Sequence, residues 1–366
     1  MSNSGQAKAE RPEEKWSPIW LRALQNPKFR ALSARLPIVR NFVKADQTRV
    51  FDVMSGFVYS QILNAAVEVD LFHQLQSGPK SPHQIAGLST DAARLLCRGA
   101  AGLGLVKERR DGRYQLTRHG AVIEAVPGLK TMIRHHSVLY RDLQNPVAVL
   151  EGQSETEMSG FWPYVFGASE REVSQDEASL YSQVMSDTQS LVAEQVLAHV
   201  SFSGVQRLLD VGGGQGVFVK LLQAKYPTLD LALFDLPTVV EPSGSFETYP
   251  GNFRTENLPS GFDTISLIRI LFDHQNLTVV DLLQKVFTAL PDGGRVIVAE
   301  PMAGGAAPTR EGDAYYALYT RSMRTGQTRR PQDIAALLSN AGFERIRIYP
   351  DQAPAVARVI EASKAI

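Results

Sequence analysis

Asp210, Gly212, Gly214 and Gly216 alternate along one short stretch. An apolar run beginning at Val205 leads into it, and Val217, Phe218, Leu221 and Leu222 follow it at helical spacing. A strand, a glycine-rich turn and a helix bring backbone N–H groups close to a ligand. The spacing narrows which ligand. A dinucleotide fingerprint, G-x-G-x-x-G, needs glycine at position 217, where the chain has Val217. An acid ahead of the glycines repels a pyrophosphate and suits a cofactor with a cationic amino-acid end. A second apolar run, 229–234, ends in Asp235, about 20 residues past the glycines. A carboxylate at that strand tip can accept hydrogen bonds from both ribose hydroxyls, so the two acids together would hold an adenosine at both ends.

Positioning these residues requires a sheet. After the first two strands come a strand over 263–268, a helix over 277–290, a strand over 295–300, a helix over 331–340 and a strand over 343–349. Such alternation predicts an α/β fold: an open, mainly parallel sheet covered on both faces. Ligands bind at the carboxyl ends of its strands, where Gly212, Asp235 and Glu300 fall.

The first half of the chain reads differently. Residues 1–14 are polar. The arm 15–45 carries seven cations, from Lys15 to Lys44, and no acid, interleaved with Trp16, Trp20 and aliphatics. It suits the face of an anionic membrane or a dimer partner equally, and Pro27 and Pro37 divide it into short helices. One long helix is expected over 48–76, short helices open at Ser81-Pro82 and Thr90-Asp91, and a hairpin turns at Asp111-Gly112. Two short helices and a hairpin make a winged helix. Its second helix carries only Arg94 and Arg98 among alanines and leucines, which suits packing rather than DNA. Residues 129–167 offer pocket-lining groups: Met132, His135, His136, Tyr140, then Phe161, Trp162 and their neighbours. A helix over 178–200 adds Tyr181 and Met185. The expected domains are the arm (1–45), a winged-helix dimerisation and substrate-wall domain (46–170) and a catalytic domain (171–366).

Composition sets limits. Lys plus Arg and Asp plus Glu are both 38, giving no reason to expect nucleic acid. Cys97 stands alone, which excludes an internal disulfide and fits a reducing compartment. The start has no apolar signal core, and no run approaches the length of a membrane span. The expectation is a cytoplasmic protein, soluble or peripheral on the inner membrane. His135 and His136 lack carboxylate or cysteine partners at ligand spacing, so no metal is expected.

The glycine stretch resembles the first motif of the S-adenosylmethionine-dependent methyltransferases. A winged helix joined to such a sheet is similar to the dimeric plant-type O-methyltransferases, as are Asp235-Leu236-Pro237, Ala289-Leu290-Pro291 with Gly294, and Val298-Ala299-Glu300. More closely, the chain resembles the bacterial carotenoid branch, the hydroxyneurosporene and demethylspheroidene O-methyltransferases. The matching stretches are Phe57-Val58-Tyr59-Ser60-Gln61, Val69-Asp70-Leu71-Phe72, Ser159-Gly160-Phe161-Trp162-Pro163-Tyr164 and Arg269-Ile270-Leu271-Phe272-Asp273-His274. The resemblance implies a homodimer that binds S-adenosylmethionine through Asp210, Gly212, Gly214, Gly216, Asp235, Leu236, Asn252, Phe253 and Arg269. It implies a lipophilic substrate lying against His135, His136, Phe161, Trp162, Tyr181, Met185 and Met323.

Two departures bear on the chemistry. The family's basic histidine stands here as Phe272, which takes no proton, and one of its two orienting acids as Thr328; Glu300 matches the other. The acid that meets the adenine amino group appears as Asn252, which can still accept that hydrogen bond. Methylation of a tertiary alcohol tolerates the first loss, because no base near pH 7 pre-ionises such a hydroxyl. The expected catalytic residues are His274 and Glu300, with His135, His136 or a water as other proton acceptors. Methylation of a smaller aromatic hydroxyl, C-methylation of a tetrapyrrole and a cofactor-binding regulator remain as alternatives.

Overall fold

The structure, a computed structural model, describes residues 25–29, 37–161, 188–240, 244–350 and 357–366. The chain divides into two compact units, 1–63 and 64–366. Helix α1 spans Pro37–Glu68. It corrects the expected boundaries of 48–76 at both ends. Pro37 sits at the first helical position, where its missing N–H is no loss, so it opens the helix rather than dividing an arm into short pieces. The break comes at Asp70, whose φ of 50° is left-handed, a conformation that a short polar side chain tolerates. Helix α2, Leu71–Gln76, starts afresh beyond it. On α1, Val50, Phe51, Val53, Met54, Phe57 and Val58 are exposed, an apolar face along the first unit. Contrary to expectation, Lys44–Glu68 is long and apolar enough to cross a membrane, at a mean hydropathy of 1.2, because 53–67 carries no charge.

The second unit opens with the winged helix. A 3-10 turn, Pro82–Gln84, precedes α3, Thr90–Gly102, which Ser89 caps by accepting the Ala92 N–H. Strands β1, Val106–Glu108, and β2, Tyr114–Leu116, form the antiparallel wing. Then come α4, Arg118–Ala125; α5, Leu129–Asp142; α6, Pro146–Glu151; α7, Glu157–Phe161; and α8, helical over 188–199.

The sheet strands are β3, Arg207–Val211; β4, Asp230–Asp235; β5, Glu247–Pro250; β6, Thr264–Ile268; β7, Arg295–Glu300; β8, Glu344–Ile348; and β9, Arg358–Ser363. They lie in the order β5-β4-β3-β6-β7-β9-β8, with β9 alone running against the rest. Between them run α9, Val217–Lys225; α10, Asn276–Ala289; a π-helix, Arg310–Tyr316, continuing into α11, Ala317–Ser322; and α12, Pro331–Asn340. Both faces of the sheet are covered. Val279, Leu283 and Val286 of α10 join Ile334 and Leu338 of α12 against one face. Val192 and Val196 of α8 with Phe218 and Leu222 of α9 close the other. With both faces buried, the central strands read as near-continuous apolar runs, which is why they were legible.

Candidate active site

The site is built at the carboxyl ends of β3, β4, β6 and β7. At the end of β3 the chain turns at Gly212, whose φ is 72°, and a Cβ there would strike Ile270 Cδ1. A Cβ on Gly213 would strike Asp210 Oδ2 and Leu233 Cδ1. The turn therefore has no room for side chains at Gly212 and Gly213 and presents backbone there. Gly214 sits at its middle, and Gly216 caps α9 in a left-handed conformation.

Asp210 is fully buried. Its Oδ1 accepts the Ser266 hydroxyl at 2.6 Å, while Oδ2 has no partner among the described residues. Burial pushes its carboxyl up to about 7, with the nearby charge of Asp235 adding to the rise and the Ser266 bond opposing it. A buried carboxylate oxygen without a donor, beside a turn of bare backbone, fits a cationic amino group. Asp235 ends β4, its Oδ2 accepting the Gly214 N–H at 2.8 Å and its Oδ1 the Leu236 N–H at 2.7 Å. Each oxygen keeps a second lone pair for a ribose hydroxyl. Burial raises its pKa against those two N–H bonds.

Asn252 follows β5. Its Oδ1 accepts the Arg254 N–H at 2.9 Å, so an adenine amino group would have to share that oxygen. The Phe253 ring stands edge-on to His274, with centroids 5.4 Å apart. Arg269, directly after β6, is buried with a left-handed φ of 60°, donates to Thr188 Oγ1 at 2.7 Å and is fixed by its N–H to Ala299 O. Non-glycine strain of this kind collects at functional sites.

His274 is not placed to take a proton. Its Nδ1 accepts from Arg254 at 3.1 Å, and burial with the charges of Arg254 and Arg329 brings its pKa down to about 3. This corrects its expected catalytic role: the ring belongs to the Phe253–Arg254 shelf. Glu300 is fully buried and its Oε2 accepts the Phe272 N–H at 3.0 Å. Burial pushes its carboxyl up to about 8, against the opposing charge of Arg329. It too is a loop anchor in this geometry. Arg329, which the sequence did not single out, grips the same loop from its carbonyl side, donating to Leu271 O and His274 O at 2.7 Å each. Phe272 between them is buried.

A second cluster joins α5 to the π-helix and α11. His135 Nε2 and Tyr319 Oη are 3.0 Å apart and both are buried, with burial taking His135 down to about 4. His136 Nε2 and Tyr315 Oη are 2.6 Å apart and half-buried. Met323 is wholly enclosed with Val138, Leu139, Met158 and Tyr319, so it backs the wall rather than surfacing it. The side chain of Phe161, and Trp162, Tyr181 and Met185 altogether, lie outside the described residues. Tyr315 and Tyr319 were missed, although their spacing on one helical face was readable.

Residues 140–344 match the O-methyltransferase domain, and residues 51–123 match the O-methyltransferase dimerisation domain. The chain belongs to the O-methyltransferase family. Its cofactor is S-adenosylmethionine, and the cradle of Asp210, the glycine turn and Asp235 fits that molecule's two polar ends. The demethylspheroidene O-methyltransferase of Cereibacter sphaeroides is 44% identical over 94% of this chain and 94% of its own. That of Rhodobacter capsulatus is 44% identical over 90% of this chain and 85% of its own. Human N-acetylserotonin methyltransferase, solved in complex with SAM, shares the fold at a TM-score of 0.73 and 24% identity, covering 88% of this chain and 98% of its own. The exposed apolar face of α1 overlaps, from Phe51 on, the matched dimerisation domain.

Proposed function

We propose that this O-methyltransferase methylates the tertiary hydroxyl of an acyclic carotenoid of the demethylspheroidene type. The near full-length 44% identity to two demethylspheroidene O-methyltransferases carries this reading. The chemistry agrees with it. Bound S-adenosylmethionine supplies a methyl group on a sulfonium, and the protein must hold the alcohol oxygen in line with it. Positioning of that kind is worth roughly 7–11 kcal/mol. A phenol can be ionised by a histidine before transfer, whereas a tertiary alcohol releases its proton only during or after it. Phe272 in place of the histidine suits the second case. Asp210 and the glycine turn would hold the amino-acid end, Asp235 the ribose, and Asn252 with Phe253 the adenine. Met132 and Tyr315, with His136, would face the polyene end, and buried His135 would stand behind them.

The reading extends to where the enzyme works. The arm 15–45, mostly outside the described residues, would bring a cytoplasmic homodimer to the anionic inner-membrane surface where a polyene dissolves. Methyl transfer from labelled S-adenosylmethionine to acyclic carotenoid in anionic vesicles tests both parts. Full-length protein is expected to float with the vesicles and transfer label, and a protein starting at Asp46 to do neither while still binding cofactor. Equal flotation of the two would assign the arm to the dimer, and label passing only to phenols would overturn the substrate.

A further inference from the structure

If Phe272 takes no proton, His274 faces Arg254 and Glu300 anchors a loop, the proton of the alcohol must leave by another group. We propose that Tyr315 and His136 are that group: the Tyr315 hydroxyl accepts the alcohol proton while passing its own to His136 Nε2. This rests on the O-methylation of an alcohol argued above.

The geometry selects this pair over its neighbour. His135 and Tyr319 are both buried, so neither reaches a substrate without displacing core. His136 and Tyr315 are half-buried and joined at 2.6 Å, with their rings edge-on at 5.5 Å. The only other acceptor the Tyr315 hydroxyl meets among the described residues is the Met132 sulfur at 3.9 Å, a far weaker one. The Tyr315 proton therefore points to His136 Nε2, and the imidazole carries its own proton on Nδ1. Burial lowers the pKa of His136, so the ring is neutral at rest.

The pair also sits at the reaction end of the sheet. Tyr315 lies on the π-helix that follows β7, a helix form that recurs at functional sites. The charge of Arg269, at the end of β6, acts on Tyr315, Tyr316 and Tyr319 alike. Among the described residues, the other titratable groups about the pair are Tyr140, edge-on to His136 at 6.3 Å, Tyr316, edge-on to Tyr315 at 4.9 Å, Tyr319, tilted against Tyr315 at 6.0 Å, and His135, whose charge would disfavour a second one.

The step balances. An oxygen lone pair of the alcohol forms the new O–C bond as the C–S bond breaks and its electrons stay on sulfur. The alcohol proton goes to Tyr315 Oη, and the former Tyr315 proton to His136 Nε2. A neutral ether, a neutral thioether and one imidazolium remain, so the positive charge that began on sulfur ends on His136.

Two measurements on the whole enzyme test this. In single turnover with labelled S-adenosylmethionine, using whichever alcohol or phenol the wild type methylates, Tyr315→Phe should slow transfer by about 100-fold, the lower range for positioned acid–base groups. Cofactor affinity should stay near wild type, and His136→Gln should lower kcat rather than raise KM. A Tyr315→Phe rate within about threefold of wild type, well short of that range, would overturn the pair whatever the substrate proves to be. Nitrogen-15 NMR of the cofactor-bound wild type, with His136 assigned through His136→Gln, reads the tautomer without turnover. The pair predicts an unprotonated Nε2 that accepts a hydrogen bond; a protonated Nε2 contradicts it even if Tyr315→Phe fails to fold.

Discussion

Glu300 Oε2 accepts the backbone N–H of Phe272 at 3.0 Å. An acid that would orient a catalytic histidine in other members of the family is here bonded to the main chain of the residue that replaced it. Arg329 holds the carbonyls on either side, so the loop 271–274 is clamped from both faces. Glu300→Gln keeps an acceptor oxygen and should leave kcat within a few-fold of wild type. Glu300→Ala strands a buried N–H and should cost about 1–3 kcal/mol of stability, read from urea denaturation. A large loss of kcat in Glu300→Gln, with stability intact, would restore a direct role to the acid.

The buried carboxyls make stability depend on pH. In the folded, cofactor-free protein burial holds Asp210 and Asp273 up to about 7 and Glu300 up to about 8, against ordinary values of 3.8 and 4.5. Below those ordinary values all three are protonated in both states, and their contribution is fully present. As pH rises toward 8 the unfolded chain releases protons that the folded chain retains, and stability falls. Below about pH 6.5 the buried, neutral His135, His136 and His274 oppose this trend, because their unfolded counterparts bind protons. The urea midpoint should therefore decline between about pH 7 and pH 8.5, less steeply in Glu300→Gln. A midpoint that rises over that interval would contradict the burial of these groups in neutral form.

Asp235 gives the sharpest test of the cofactor cradle. Asp235→Ala removes an acceptor from two ribose hydroxyls, each bond to a charged group being worth about 1.5–3 kcal/mol. It also releases the Gly214 N–H. Calorimetry should show the dissociation constant of S-adenosylmethionine rising by at least tenfold, and less in Asp235→Asn. Unchanged affinity in the alanine variant removes Asp235 from the site.

On α1 the exposed ring of Phe57 lies among Val53, Met54 and Val58. Light scattering should return twice the 40.2 kDa chain mass for wild type. Phe57→Glu, which would bury a charge at the subunit contact, should shift that toward the single-chain mass at micromolar concentration. A wild type that stays at the single-chain mass across a wide concentration range sinks the dimer.

Much of the fold was legible because burial dictates it. The apolar runs of β3, β4, β6 and β7 sit at the centre of a sheet covered on both faces, and the Asp210 to Gly216 spacing fixes strand, turn and helix in one motif. Short edge strand β5, with its half-exposed residues, and β9, which runs against its neighbours, gave no such signal. The site divides the same way. Asp210 and Asp235 were readable because their backbone neighbours are adjacent in sequence or set by motif spacing. The pairings of Arg329 with Leu271 and of Tyr315 with His136 were not, since the partners lie 58 and 179 residues apart and meet only through the tertiary fold. His274 was misplaced for a related reason. Sequence put it two residues from the lost histidine, and only the structure shows Arg254 in front of it.

The central claim is that the cofactor's methyl group ends on the oxygen of a tertiary alcohol in an acyclic polyene. The most direct measurement uses S-adenosylmethionine carrying a carbon-13 methyl group, with the acyclic hydroxy-carotenoid and a simple phenol offered together in one detergent. Mass spectrometry and carbon-13 NMR of the products then locate the label. The account predicts a labelled methoxy group on the tertiary carbon of the polyene, with the phenol left almost untouched. Label on the phenol oxygen with an unmodified polyene, or label bonded to carbon, would contradict it.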